Sequence, residues 1–203
     1  SLFIADLSSL RQVRGLAAEV RARSSRLDVL INNAGVHMPR RQLTEDGLET
    51  TFAVNHLAPF LLTHLLLDLL GASAPARIVN VSSTAHRGAT VDFDNLQGEK
   101  RYDGWAAYCL SKLGNVLFTF ELAGRLQGTC TTANCLHPGV IATKLLHSGW
   151  PNIAGDNLAA GAGASVYLAS AAEVGDISGK FFADQRVAQA SELADDVALR
   201  HIR

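Results

Sequence analysis

Cysteine is scarce in this chain, and its few thiols fall in unrelated contexts. Cys109, Cys130 and Cys135 are an odd trio among 203 residues, which argues against both a disulfide framework and a zinc-ligand set. They are expected to be reduced and buried, and no metal site is expected. His56 and His64 lie eight residues apart on one expected helix. No further ligand type accompanies them, so they read as polar helix positions. A surplus of one charge sign is also missing: 18 basic against 19 acidic residues leave a net charge of −1, too balanced for a nucleic-acid-binding field. Nor is there a clean apolar run of the roughly 18 residues that a bilayer span needs. The greasiest stretch, Leu57 to Leu70, is broken by Pro59, Thr63, His64 and Asp68 and reads as a packed helix. No targeting segment, low-complexity linker or internal repeat is visible, and a cytoplasmic location is expected.

What is present suits a folded domain with a sizeable core, since 48% of the residues are apolar and 18% charged. Strand-like and helix-like segments alternate, which predicts an α/β fold. Leu2 to Leu7, the apolar run from Leu27, Arg77 to Val81, Thr131 to Leu136 and Gly179 to Phe182 read as strands. Helices are expected over Leu10 to Val20, about Gly47 to Leu70, the segment bearing Tyr108 as far as Leu126, Asn157 to Ala172 and Ser191 to Ile202. The polar, Gly-bearing stretch from Thr84 to Gly104 is expected to wall a pocket.

The chemistry concentrates at Tyr108 and Lys112, four residues apart and therefore on one helical face. An ammonium beside a phenol favours the ionised form and makes the phenol a usable acid or base. Bringing a tyrosine from about 10 to neutrality takes roughly three pKa units, or about 4 kcal/mol. A unit charge at about 4 Å supplies a similar amount at an effective dielectric of about 20. The spacing alone is weak, because an exposed helical pair has the same pattern, so its surroundings matter. The run Leu27 to Ile31 ends in Asn32-Asn33-Ala34-Gly35, small residues that let backbone approach a flat ligand. Arg77 to Val81 closes on Ser82-Ser83, and Thr131 to Leu136 runs into His137-Pro138-Gly139-Val140-Ile141-Ala142-Thr143. Carboxyl ends of strands are where open α/β sheets bind cofactors.

Taken together these segments resemble the short-chain dehydrogenase/reductase family, nearest to its retinol-dehydrogenase-like and WW-domain-oxidoreductase-like branch, over Asp6 to Phe182. The resemblance implies a Rossmann-type doubly wound parallel sheet in three layers. It implies that Asp6 and Leu7 border an adenine ring and that Asn33, Ala34 and Gly35 line the adenosine side. Asn55, within Val54-Asn55-His56-Leu57-Ala58, is implied to hold a proton-relay water through its helix. Ser83 is implied to bond the substrate oxygen and Tyr108 to be the general acid/base. Lys112 is implied to bind the nicotinamide ribose and lower the Tyr108 pKa, and Pro138, Gly139, Ile141 and Thr143 to contact carboxamide and pyrophosphate. The expected cofactor is NADP, preferred by family branch, or NAD. The expected reaction is hydride exchange between nicotinamide and a small-molecule alcohol or carbonyl, and the assembly a homodimer or homotetramer. Leu145, Leu146 and Trp150 lie where the family has a mobile lid, and their apolarity points to a hydrophobic substrate.

Several positions depart from the family pattern. Ala58 and Ala76 replace glycines, and Leu110 replaces a small residue between Tyr108 and Lys112; none removes a reacting group. Nothing resembles the family's opening strand and glycine-rich turn, which would seat a pyrophosphate at a helix N-terminus. Leu2 to Leu7 looks instead like the third strand, so the chain is expected to lack the first two strands and to be incomplete at its start. A nucleotide-sugar epimerase or dehydratase shares Tyr-x-x-x-Lys, but the residues after Lys112 already carry two family motifs. A non-catalytic binding or scaffold protein that keeps the fold is the other alternative.

Overall fold

The runs of β-branched and apolar residues become a ladder in the computed structural model, which describes residues 1–200. Strands β1 (Val29–Asn32), β2 (Ala76–Val81), β3 (Thr131–Leu136) and β4 (Phe181–Ala183) are parallel neighbours in that order. A fifth strand, β5 (Arg186–Ala188), turns back antiparallel on β4 through Asp184 and Gln185, both at positive φ. The sequence reading did not anticipate it. Helices α1 (Leu10–Arg23), α2 (Thr50–Phe52), α3 (Ala58–Ala72), α4 (Gly104–Arg125), α5 (Lys144–Gly149), α6 (Leu158–Ser170) and α7 (Val197–Arg200) complete the order.

The two-residue period of β2 explains the layering. Ile78 packs with Leu66 and Leu70 of α3 and Phe118 and Leu122 of α4. Its neighbours Val79 and Val81 face the other way, onto Leu168 of α6. Helices therefore cover both faces of a parallel sheet, as burial of such a sheet requires. Register is pinned by a buried polar chain as well as by hydrophobic contact. The Asn32 amide donates to Thr63 Oγ1 (3.0 Å) and Asn80 Oδ1 (2.7 Å), and the Asn80 amide donates to Thr119 Oγ1 (2.9 Å). β1, β2, α3 and α4 are thus tied together by three side-chain hydrogen bonds.

Side-chain caps begin the helices that carry the site. Asp103 Oδ1 accepts from Ala106 N (2.7 Å) at the start of α4, and Ser9 caps α1. Between α2 and α3 the helix widens into a π-turn over Ala53–Leu57 with Asn55 at its centre, a distortion common at functional positions. Thr50–Ala72 is thereby one 23-residue helix, long and apolar enough to cross a bilayer by length and composition, although the uninterrupted run in its sequence is shorter. In the fold its Leu66 and Leu70 are core residues. Ala58 and Ala76, the glycine replacements, are both buried.

Three expectations need correction. Leu2 to Leu7 forms no strand: Phe3, Ala5 and Leu7 turn partly inward while Leu2 (81% exposed) and Ile4 (89%) turn out. The alternation is present, but among the described residues no neighbouring strand supplies a ladder, and Ile31 on the edge of β1 stays 39% exposed. Ser191 to Ile202 is not one helix; a 3₁₀ turn over Glu192–Asp195 precedes the short α7, and residues 201 to 203 lie outside the described residues. Of the three free thiols Cys109 and Cys135 are buried, but Cys130 is exposed where α4 hands over to β3.

Glu49 anchors the loop-to-helix entry beneath the site. Its buried carboxylate accepts from Thr51 N (2.9 Å), Phe52 N (2.7 Å) and the Tyr102 hydroxyl (3.1 Å). Glu49→Ala leaves the two N–H donors at the start of α2 unmatched, while the Tyr102 hydroxyl keeps Met38 O at 2.7 Å, and is expected to cost about 2 kcal/mol, read from urea or thermal denaturation.

Candidate functional site

Helix α4 presents Tyr108 and Lys112 on a face turned to the carboxyl ends of β1 to β3, and both side chains are almost fully buried. Lys112 Nζ donates to Val81 O at 2.9 Å, and Ser82 Oγ donates to Lys112 O at 2.8 Å. The last residue of β2 and the serine that follows it therefore hold the lysine at both its ends. Nζ lies 5.6 Å from the centroid of the Tyr108 ring.

Burial decides the electrostatics here. Desolvation lowers the Lys112 pKa to about 8. Desolvation raises that of Tyr108, partly offset by a hydrogen-bonding pull from the Ser83 hydroxyl. The expectation that Lys112 depresses the phenol is thus corrected for these residues by themselves. Its ammonium is committed to a backbone carbonyl, and the cost of charging a buried phenol exceeds what it returns.

Asn55 supports the same point from beneath. Its Oδ1 accepts from Val36 N (2.8 Å), and its amide donates to Val36 O (2.9 Å) and to Ser111 Oγ (3.0 Å). Ser111 Oγ in turn donates to Tyr108 O (2.8 Å). The π-turn, the segment after β1 and helix α4 are joined by one side chain. Gly35 sits close to the same groups: a Cβ added there would lie in ordinary van der Waals contact, 3.5 Å from both Asn55 Oδ1 and Lys112 Nζ and 3.7 Å from Leu145.

A cavity of about 1190 Å³ opens above these groups. Ser83, Tyr108, Lys112 and Gly35 line it, as do Asn33 and Ala34. Asp6 and Leu7 line it too, and the Asp6 carboxylate, its pKa lowered by the Ser8 backbone N–H and hydroxyl, is held in place by those bonds. Pro138, Gly139, Ile141 and Thr143 form another wall, with Gly139 at φ +93° and Thr143 capping α5 through Leu146 N. Of the thirteen positions singled out in the sequence, only Asn55 stands behind the wall rather than in it. Thr84, Ala85 and Gly88 bear out a pocket wall at the start of the 84–104 stretch, and Leu145, Leu146 and Trp150 line the cavity as well.

Aromatic rings that the sequence reading passed over surround Tyr108. Trp105 stacks on it at 5.9 Å between centroids, and His37 meets it edge-on at 6.1 Å. Trp105 was within reach, since it stands three residues before Tyr108 and so on the same helical face. His37 follows Gly35 by two residues, but nothing in its sequence neighbours marks it. Among the described residues no group of three metal-ligating side chains occurs; His56 is bonded to Asn115 and pushed down to about 4 by burial.

The depressed Lys112 has a stability consequence with a definite sign. The unfolded lysine holds its proton up to about 10.5 and the folded one only to about 8, so carrying the charge costs the ligand-free fold on the order of 3 kcal/mol below pH 8. That cost fades as pH rises from about 8 to 10.5. Relative to Lys112→Met, the protein is expected to gain stability across this window in pH-dependent urea melts. Cys109 and Cys135, raised to about 11 and 12 by burial, act oppositely but equally in both proteins.

The arrangement has relatives. The profile of the short chain dehydrogenase family matches residues 1–153. Retinol dehydrogenase 13 of Homo sapiens is 46% identical over 97% of this chain, and the chain spans 64% of that relative's length. Among solved structures, an uncharacterised protein from Mycobacterium paratuberculosis superposes with a TM-score of 0.76 at 33% identity, covering 97% of this chain and 69% of its own. The Pseudomonas aeruginosa RhlG/NADP active-site complex does so at 0.69 and 25% identity, covering 88% and 72%. The chain belongs to the short-chain dehydrogenase family, in its retinol-dehydrogenase-like branch.

Proposed function

We propose that the protein is an NAD(P)(H)-dependent oxidoreductase that exchanges hydride between nicotinamide and an apolar alcohol or its carbonyl, with Tyr108 moving the proton. One observation carries this reading: Tyr108, Ser83 and Lys112 face a single cavity that Asn33, Ala34 and Gly35 also line. The residues fit a dinucleotide. Lys112 donates one N–H to Val81 and keeps two for ribose hydroxyls, an ammonium having three donors. Asn33 to Gly35 offer backbone and small side chains to the adenosine side, and the turn from Pro138 to Thr143 offers backbone to carboxamide and pyrophosphate. When bound, the nicotinamide supplies the hydride donor or acceptor.

The chain's own groups do the rest. Ser83 Oγ holds the substrate oxygen beside the phenol. In oxidation Tyr108 as phenolate takes the hydroxyl proton; in reduction the phenol donates it, and burial keeps it protonated for that task. Asn55 holds Val36 and Ser111 and so fixes the floor on which Tyr108 stands. Leu145, Leu146, Trp150 and Ile153 give the cavity an apolar lining suited to a hydrophobic substrate, a preference supported by relatives named retinol dehydrogenases. NADP is the preferred coenzyme, supported by the NADP complex of the RhlG relative.

Tyr108→Phe in the intact protein is expected to lower kcat by about 10²-fold to 10⁴-fold while leaving coenzyme affinity near wild type, read by steady-state kinetics and NADPH fluorescence titration. Retained activity contradicts the assignment. Thermal stabilisation by NADPH or NADH is expected in the wild type; binding of neither coenzyme supports a scaffold role instead.

A further inference from the structure

His37 is wedged between two structures that must meet for the cavity to have a wall. On one side is the start of α4, where Gly104 leaves no room for a side chain: an added Cβ would fall 2.5 Å from Met38 O and 3.3 Å from His37 Nε2. On the other is the end of α5, where a Cβ at Gly149 would fall 3.1 Å from His37 Nδ1. The imidazole touches Trp150 at 4.9 Å between centroids and Tyr108 at 6.1 Å. Trp150 also meets Trp105 at 5.2 Å and Tyr108 at 6.1 Å. The four rings are one cluster, and it contains both tryptophans of the chain.

Ordinary core packing does not account for the choice of residue. His37 Nδ1 is buried without a hydrogen-bond partner among the described residues, which costs about 1–3 kcal/mol for such a group. An apolar side chain of like size would avoid the cost. The ring instead fills the gap between two glycines whose lack of Cβ is what admits it. Its position makes the seat of α5 depend on its shape.

We propose that His37 is a specificity-determining positioning residue that seats α5 and Trp150 against Tyr108, setting the bulk of the alcohol or carbonyl admitted. The proposal rests on the oxidoreductase reading above. His37 does not line the cavity; it acts through Trp150, which does. Truncating it lets the end of α5 settle elsewhere and loosens the wall against which a long apolar substrate packs. A short substrate, held at its oxygen by Ser83 and Tyr108, is indifferent to that wall.

The test compares His37→Ala, His37→Met and Gly149→Ala in the intact protein, with NADPH and two carbonyls, retinaldehyde and hexanal. His37→Ala is expected to raise KM for retinaldehyde about tenfold, the scale of a lost pocket contact, with kcat, KM for hexanal and NADPH affinity near wild type. His37→Met, which restores the volume, is expected to recover most of the loss, whereas Gly149→Ala is expected to reproduce it from the other side. Acrylamide quenching of the two tryptophans supplies a readout independent of turnover: it is expected to rise in His37→Ala and Gly149→Ala and to stay near wild type in His37→Met. An unchanged ratio of the two KM values together with unchanged quenching overturns the proposal, as does an equal loss for both substrates. If Tyr108→Phe is inactive in the same assays, only the role of His37 has failed; an active Tyr108→Phe removes the reading beneath it too. Should His37→Ala fail to fold, Gly149→Ala and His37→Met decide the matter.

Discussion

A buried ammonium held by the end of a strand organises this molecule. Lys112 reaches Val81 O, and its own carbonyl is gripped by Ser82. This two-point attachment places α4 along the sheet with Tyr108 one turn earlier, at the mouth of the crevice. A lysine so fully removed from water is unfavourable unless its donors are used. One donor is used by the protein. The remainder face a cavity whose natural occupant, in the reading reached above, brings ribose hydroxyls to them. Fold and coenzyme are linked through that one charge.

The balance of magnitudes around Tyr108 follows from the same burial. A lysine placed at hydrogen-bond distance from the phenol oxygen could offset most of the energy needed to ionise it. The structure puts Nζ over the ring and commits it to a carbonyl, so desolvation governs and the phenol's pKa rises. A protonated phenol is the form that a carbonyl reduction needs. Ser83, which favours the ionised form, works against burial from the substrate side.

Beneath the reacting groups lies a polar scaffold with its own division of labour. Asn32, Asn80, Thr63 and Thr119 register the strands against the helices. Asn55 and Ser111 then connect the π-turn, the segment after β1 and the turn of α4 that carries Tyr108. Each of these amides makes at least one side-chain hydrogen bond at depth, where an unmatched polar group is costly. The aromatic cluster of His37, Trp105 and Trp150 stands above, where the wall is formed by shape instead of hydrogen bonding.

Local pattern was sufficient for much of this. Apolar runs leading into Asn32-Asn33-Ala34-Gly35, Ser82-Ser83 and His137-Pro138-Gly139 located β1, β2 and β3, and the four-residue spacing put Tyr108 and Lys112 on one face, because such relations depend only on residues a few positions apart. The strand expected at Leu2 to Leu7 shows the limit: alternation is local, but a ladder needs a neighbour, and among the described residues none lies beside it. The hairpin strand β5 and the exposure of Cys130 were equally out of reach. Distance across the fold settled the rest. That Lys112 is bonded to Val81, that burial raises the phenol, and that His37 fills a gap between Gly104 and Gly149 are relations between segments far apart in the chain. Residue order determined which groups could serve the chemistry; three-dimensional packing decided how strongly each is desolvated and what it touches, because solvent exclusion and contact belong to the folded whole.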